Sequence, residues 1–205
     1  MTADGSASGD SATALRRTVG GWGHDERVDT AIGHALFDTA IGWCAVAWNE
    51  AGVSAVQLPE SDVAHTRQRI RAAAPGVAEA TPSVVAGRAI RGMRALLQGE
   101  SVDLTEIPLD LRGVPEFALR VYAVTQQIRP GRTLTYGQVA DRLGDRGSAR
   151  AVGGALGRNP VPLLVPCHRV VAAAGRPGGF SAYGGAASKL RILAIEQSGA
   201  GITLF

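Results

Sequence analysis

The chain has 205 residues, enough for one large domain or two small ones, and 45% of them are hydrophobic, which excludes general disorder. The formal net charge of +3 hides an asymmetry: residues 1–114 carry 10 Lys and Arg against 14 Asp and Glu, whereas residues 115–205 carry 11 against 4. An acidic half joined to a basic half points to a nucleic-acid module with an appended domain that does not bind. No apolar run approaches a membrane span, and the N-terminus lacks the basic start and apolar stretch of a signal peptide. Two cysteines, Cys44 and Cys167, are too few for a disulfide framework. These features read as a cytoplasmic chain with reduced thiols and no membrane partner.

Residues 1–14 are mostly Gly, Ala, Ser, Thr and Asp and read as a flexible tail; the segment to Gly33 has no clear period and stays unassigned. Three strands are predicted next, at His34–Thr39, Trp43–Trp48 and Val53–Leu58, with Gly42 and Gly52 marking the turns. Cys44, Val46 and Trp48 alternate onto one face, which makes Cys44 a core residue. Trp22, Trp43 and Trp48 fall in the acidic half and read as core or surface anchors. Helices are predicted at Ser61–Ala73 and Ser83–Leu97, the second with Val85, Ala89, Met93, Leu96 and Leu97 at helical spacing and Gly99 as its stop. Leu104–Leu111 reads as a linking strand or extended segment. Composition and charge sign change at Gly113-Val114-Pro115, so the expected division is 1–33, 34–114 and 115–205.

The basic half opens with a helix whose predicted buried stripe is Phe117, Val121, Val124 and Ile128, ended by Arg129-Pro130-Gly131. Thr135-Tyr136-Gly137-Gln138 fits a capping box that starts a short helix to Leu143. Gly144–Gly147 form a turn, and Ser148 is placed to cap a third helix ending at Gly157. Two short helices joined by a tight glycine-containing turn make a helix-turn-helix signal. The third helix is rich in glycine, and each interior glycine costs ~1 kcal/mol relative to alanine. Ala149, Val152, Gly153 and Leu156 share a face that suits the core. Arg150, Gly154, Gly157 and Arg158 share another, nearly bare backbone flanked by two cations. Such a face suits close approach to a widened DNA minor groove; the alternative is close packing between helices.

Residues 161–171, Val-Pro-Leu-Leu-Val-Pro-Cys-His-Arg-Val-Val, end an apolar run with a cysteine beside a histidine. A thiol is a nucleophile only as its thiolate, and an imidazole is the commonest means of forming one. The run predicts a buried strand. Neighbours in an extended chain face opposite ways, so His168 can serve Cys167 only through a turn at Cys167 or a bridging water.

With these residues assembled, the chain resembles the O6-alkylguanine-DNA alkyltransferases, also called methylated-DNA–protein-cysteine methyltransferases. The motifs that carry the resemblance are Thr135-Tyr136-Gly137-Gln138-Val139-Ala140, Ala149-Arg150-Ala151-Val152-Gly153-Gly154-Ala155, Arg158-Asn159-Pro160-Val161-Pro162 and Pro166-Cys167-His168-Arg169-Val170. The match covers residue 115 to about residue 198; residues 34–110 are similar only in the order of elements. The resemblance implies an α/β (α+β) fold, with a small N-terminal sheet and helices followed by a helical domain carrying a winged helix-turn-helix. It implies a monomer that acts on double-stranded DNA containing O6-alkylguanine, and as a second substrate O4-alkylthymine, transferring the alkyl group irreversibly to Cys167 without a cofactor.

It also implies residue roles. His168 takes the thiol proton through a water and is held by Glu196, while Asn159 braces the turn before the active-site segment. Tyr136 turns a phosphate outward and offers its hydroxyl to the flipped guanine. Arg150 fills the vacated place in the duplex, with Gly154 and Arg158 on the same DNA-facing surface. Pro162 lines the base pocket, the Cys167 and Val170 carbonyls accept from the guanine amino group, and Ser181 supplies an N–H near the guanine oxygen. The segment 179–185 is one residue longer before Lys189 than the family pattern, which bears on Ser181 most. Some members hold a structural zinc; here Cys44, His24, His34 and His65 show no pair at metal-ligand spacing, which argues against a metal. The rival readings are a cysteine hydrolase using Cys167, His168 and Glu196, and a module that binds alkylated bases without repairing them.

Overall fold

The computed structural model describes residues 32–199; the predicted tail, His24 and Trp22 lie outside them. Three antiparallel strands, β1 (Gly33–Phe37), β2 (Cys44–Asn49) and β3 (Gly52–Gln57), form a sheet in the order β1-β2-β3. Its alternation divides the side chains between two layers. Cys44, Val46 and Trp48 point into the main core, as predicted, while Ala45, Ala47 and Ala55 pack with Ile70 of helix α1 (Val63–Ala73). Helix α2 (Val84–Leu97) covers the main-core side through Ala86, Ala89, Met93 and Leu96. Asp62 and Ser83 cap these two helices by accepting from backbone N–H groups three residues on. Trp43, in the turn before β2, is exposed. The segment 104–111 forms no strand; it runs extended beside β3, where Val53 donates to the Pro108 carbonyl and accepts from Asp110.

Helix α3 (Glu116–Gln126) buries Ala118, Val121, Tyr122 and Thr125, a stripe rotated from the predicted one. Val121 and Ile128 are fully covered, and Phe117 and Val124 only partly. The rotation brings in a polar group: the Tyr122 hydroxyl donates to the Ala155 carbonyl at 3.0 Å. That bond ties α3 to helix α5 (Ala149–Gly157), the second helix of the predicted pair. The first, α4 (Tyr136–Arg142), begins with the expected capping box, in which Thr135 and Gln138 each accept from the other's backbone N–H.

Ser148 does not cap α5. Its hydroxyl donates to the Asp145 carbonyl, closing the turn between the two helices instead. The two-residue strands β4 (Leu134–Thr135) and β5 (Val170–Val171) pair in parallel, which sets the start of α4 beside the Cys-His segment. The final helix, α6 (Gly185–Gly199), carries Lys189 and Glu196 inward. One apolar core runs from β1 to α6.

Candidate active site

The predicted strand at the end of the apolar run is absent. Val161, Leu163, Leu164 and Val165 are buried as expected, but they form a tight turn rather than a strand. Asn159 holds it: its side-chain N–H donates to the Val165 carbonyl at 2.8 Å, and its side-chain oxygen accepts from Val161 N–H at 3.0 Å. Leu163 adopts φ 73°, a left-handed conformation rare for leucine, and the bracing on both sides holds it there. From the sheet side, β3 adds a further tie, with Val56 N–H donating to the Pro160 carbonyl at 2.8 Å. The chain then turns again in a short 3-10 helix, Cys167–Arg169.

This turn separates Cys167 from His168 in direction. His168 is fully buried and its Nε2 lies 2.8 Å from Glu196 Oε1. Burial pushes the imidazole below its usual range, against the pull of Glu196, so the ring is neutral at neutral pH. A neutral ring beside a carboxylate donates from Nε2, which leaves Nδ1 as the acceptor. That buried Nδ1 has no protein hydrogen-bond partner.

Glu196, on the sequence a solvated charge but for its place in the family pattern, is 2% exposed. Its carboxylate also accepts from Arg169 Nε at 3.0 Å and Nη2 at 2.8 Å, and from Gly131 N–H at 3.2 Å. Burial works against this carboxylate, but the His168 hydrogen bond, the His168 charge once the ring is protonated in acid, and the hydrogen bonds and charge of Arg169 outweigh it and hold the pKa at about 2.

Cys167 is 7% exposed, and burial raises its thiol pKa, with the Asn159 hydrogen bond and the Lys189 ammonium pulling the other way. Lys189 was not singled out on the sequence. It is fully buried, donates from Nζ to the Val170 carbonyl at 2.6 Å, and sits 5.6 Å from the Tyr136 ring centroid. Burial pulls its pKa down to about 8. The Val170 carbonyl, assigned on the sequence to the guanine amino group, is thus engaged by Lys189. The other thiol, Cys44, lies in the core 3.8 Å from the Thr39 hydroxyl; burial raises it to about 12 against that contact.

A cavity of about 510 Å³ leads to Cys167, walled by Tyr136, Leu156, Gly157, Phe180 and Ser181 with Arg150 at its rim. Tyr136 is the first residue of α4; its hydroxyl donates to the Gly179 carbonyl at 3.3 Å. Gly178 (φ 71°) lets the 178–181 loop reach this ring, because a Cβ there would lie 2.9 Å from Tyr136 Cε2. Pro162 does not line this cavity but a second one, which shares Gly157, Cys167, Phe180 and Ser181 with it. Arg150 and Arg158 are exposed, and Gly154 is half-buried between them. Among the described residues no group of three or more His, Cys, Asp or Glu could hold a metal ion. His34 instead bonds the Val77 carbonyl, and His65 bonds Asp62. No helix among the described residues is long and apolar enough to cross a membrane.

The Glu196 network sets an acid limit on stability. A carboxylate held at about 2 when folded, against an ordinary 4.5, stabilises the fold above pH 4.5 and loses that contribution as pH falls toward 2. The difference corresponds to about 3 kcal/mol. Urea unfolding across pH 2–7 should therefore show a steeper acid decline in the wild type than in Glu196→Gln, with the variant less stable at neutral pH. Parallel declines would contradict the assignment.

Residues 116–198 match the family model for the DNA-binding domain of 6-O-methylguanine DNA methyltransferase. The methylated-DNA–protein-cysteine methyltransferase of Methanothermobacter thermautotrophicus is 37% identical over 163 residues, covering 80% of this chain and 81% of that protein. The one from Mycolicibacterium paratuberculosis is 44% identical over 126 residues, 60% of this chain and 73% of its own length. Among solved structures, Mycobacterium tuberculosis OGT in complex with DNA superposes with a TM-score of 0.65 at 31% identity, over 82% of this chain and 94% of that one. The O6-methylguanine-DNA methyltransferase of Pyrococcus kodakaraensis gives 0.63 at 30% identity, over 80% and 98%. This sequence, with its helix pair and a buried thiol lining the cavity, belongs to the methylated-DNA–protein-cysteine methyltransferase family.

Proposed function

We propose that Cys167 is the alkyl acceptor, and that the chain repairs O6-alkylguanine in double-stranded DNA, with O4-alkylthymine as a second substrate. The observation that carries the assignment is the cavity itself: its lining joins the buried Cys167 to the exposed Arg150 of α5 and to Tyr136 and Phe180. A base extruded from a duplex fits there, with its O6 substituent toward the sulfur.

The raised thiol pKa means that Cys167 rests protonated and needs a base as it attacks. His168 Nδ1 is that base, acting through a bridging water, with Nε2 anchored on Glu196. As Sγ bonds the alkyl carbon, the carbon–O6 bond breaks and its electron pair returns to guanine. Lys189 offsets the thiolate charge while it exists. Asn159 keeps the turn closed, so the sulfur has one position. The product is a thioether, which no ordinary side chain hydrolyses, so each molecule acts once. The electrophile arrives with the damaged base, and no cofactor enters. A monomer in the cytoplasm, with residues 115–205 as the DNA-binding and active-site unit, is sufficient for this chemistry.

The glycines of α5 support a DNA-facing surface. A Cβ added at Gly153 would meet the Tyr136 ring at 3.7 Å, and one at Gly154 the Arg158 guanidinium at 3.7 Å, both ordinary contacts; at Gly157 it would meet open space. Packing inside the protein therefore does not call for them, whereas close approach to a nucleic-acid backbone does. The hydrolase reading fails on its product, since it needs many turnovers, and the binding-only reading has no use for an accessible nucleophile.

Mixing with duplex carrying O6-methylguanine should raise the intact mass by one methyl per chain, mapped to Cys167 and absent in Cys167→Ala. Several turnovers per molecule would overturn the reading. Arg150→Ala should leave reaction with free O6-benzylguanine unchanged while slowing repair in duplex on the order of ten- to hundredfold, the value of a few kcal/mol of base extrusion. Circular dichroism checks that the variant is folded. Equal loss on both substrates would show that Arg150 supports the pocket rather than the DNA.

A further inference from the structure

Methyl transfer uses Lys189 only for its charge, yet a buried amine is also a nucleophile. Lys189 is the sole lysine of the chain and is fully buried on α6. Its Nζ donates to the Val170 carbonyl at 2.6 Å and to the Gly179 carbonyl at 3.4 Å. It also lies 5.6 Å from the Tyr136 ring centroid and 6.0 Å from that of Phe180. Tyr136, Gly179 and Phe180 line the cavity together with Cys167. Val170 N–H in turn donates to the Cys167 carbonyl, so the amine is anchored one 3-10 turn from the sulfur.

Alkylation of the sulfur changes the state of the amine. Burial pulls the Lys189 pKa down to about 8, and the thiolate charge of Cys167 is what favours the ammonium against burial. A thioether carries no such charge, so once Cys167 has reacted the neutral, nucleophilic amine is favoured further. The other ionisable groups facing Lys189 are the His168 imidazole, from the same turn, and the Tyr136 phenol, from α4. Burial keeps both of these neutral at pH 7, so neither restores the lost charge.

We propose that Lys189 captures bifunctional alkyl groups, so that a 2-haloethyl group taken from guanine O6 ends as an ethylene bridge between Cys167 Sγ and Lys189 Nζ. This rests on Cys167 being the alkyl acceptor. In the first step Sγ bonds the near carbon, the carbon–O6 bond breaks with its pair on guanine, and the thiol proton is balanced by one taken up by guanine. A sulfur lone pair then displaces the halide, which leaves with its bonding pair, and closes a three-membered episulfonium ring. Nζ attacks one ring carbon, the carbon–sulfur bond breaks with its pair on sulfur, and the nitrogen gives up one proton to solvent. Only two carbons separate sulfur and nitrogen in the product, and the flexible four-carbon stem of Lys189 supplies the movement once Nζ leaves the Gly179 carbonyl. The reactive sulfur is thereby consumed inside the protein rather than on DNA.

The test mixes the whole chain with a duplex carrying O6-(2-fluoroethyl)guanine, whose fluoride leaves slowly enough for the lesion to be purified intact, and with an O6-methylguanine duplex as the control for acceptance. The bridged chain gains an ethylene and loses two hydrogens, whereas hydrolysis leaves a hydroxyethyl group, so the two products differ in mass by one water. Bridging also blocks lysyl endopeptidase at its single site, after Lys189, and fragment masses locate both ends of the bridge. At pH 8 the bridged product should exceed the hydroxyethyl product about tenfold or more, because a positioned amine outcompetes water. That ratio should fall about tenfold per pH unit below this value and level off above it. A ratio still climbing toward 10.5, the ordinary lysine value, would contradict capture by the buried amine. In Lys189→Arg, which keeps a cation without a neutral amine, the alkylated chains should carry hydroxyethyl instead; reading only alkylated chains removes any effect of the variant on transfer rate. With methyl still transferred, an open thioether alone, a bridge to His168, a crosslink to DNA or no haloethyl transfer would overturn the capture alone. No transfer even from O6-methylguanine would overturn the acceptor assignment and the capture with it.

Discussion

The buried Glu196 carboxylate is where three parts of the chain meet: His168 and Arg169 from the turn after Pro166, Gly131 from the loop after α3, and α6, which carries the carboxylate itself. An isolated charge there would cost several kcal/mol, and the fold tolerates it because both oxygens are engaged, mostly by charged or strongly polar donors. The same contacts decide the chemistry. Anchoring Nε2 on the carboxylate fixes the imidazole and leaves Nδ1 without a protein partner, as the proposed role of a base requires. Arg169 completes the arrangement by supplying the positive charge, which allows His168 to remain neutral. Had the carboxylate only His168 for a partner, the pair would favour an imidazolium, which cannot accept a proton.

The remaining structure holds this group in register with helices α4 and α5. Pairing of β4 with β5 puts the capping box of α4, and hence Tyr136, next to the residues that follow Cys167. Asn159 joins the end of α5 to the turn before it. The small sheet contributes through the Val56 bond to Pro160, and Arg191 reaches back to the Ala40 carbonyl at 2.7 Å. A rigid thiol in a sterically closed turn suits a reaction whose catalytic advantage comes from alignment.

Much of this was legible in the sequence, for identifiable reasons. Strand alternation around Cys44, Val46 and Trp48 and the Thr135–Gln138 capping box are local signals, and both appear as read. The Val161–Pro166 run misled because hydrophobicity reports burial and not conformation. The turn depends on side-chain bonds from Asn159 and on a left-handed Leu163, neither of which has a periodic signature. The α3 stripe was misplaced because side-chain spacing carries no sign of the partner that satisfies the Tyr122 hydroxyl inside, the Ala155 carbonyl. Lys189 and Arg169 were missed for the opposite reason: long cations usually stay in water, and only the assembled fold provides the carbonyls and the carboxylate that bury them. Glu196 drew notice through the family pattern, not through its own surroundings in the sequence.

The claim that His168 rests as a neutral base held by Glu196 is tested most directly by nitrogen NMR of the imidazole in protein labelled at histidine. The account predicts, at pH 7, a neutral His168 ring protonated at Nε2, with Nδ1 unprotonated, and a shift of that pattern in Glu196→Gln. A doubly protonated ring, or a proton resident on Nδ1, would contradict it.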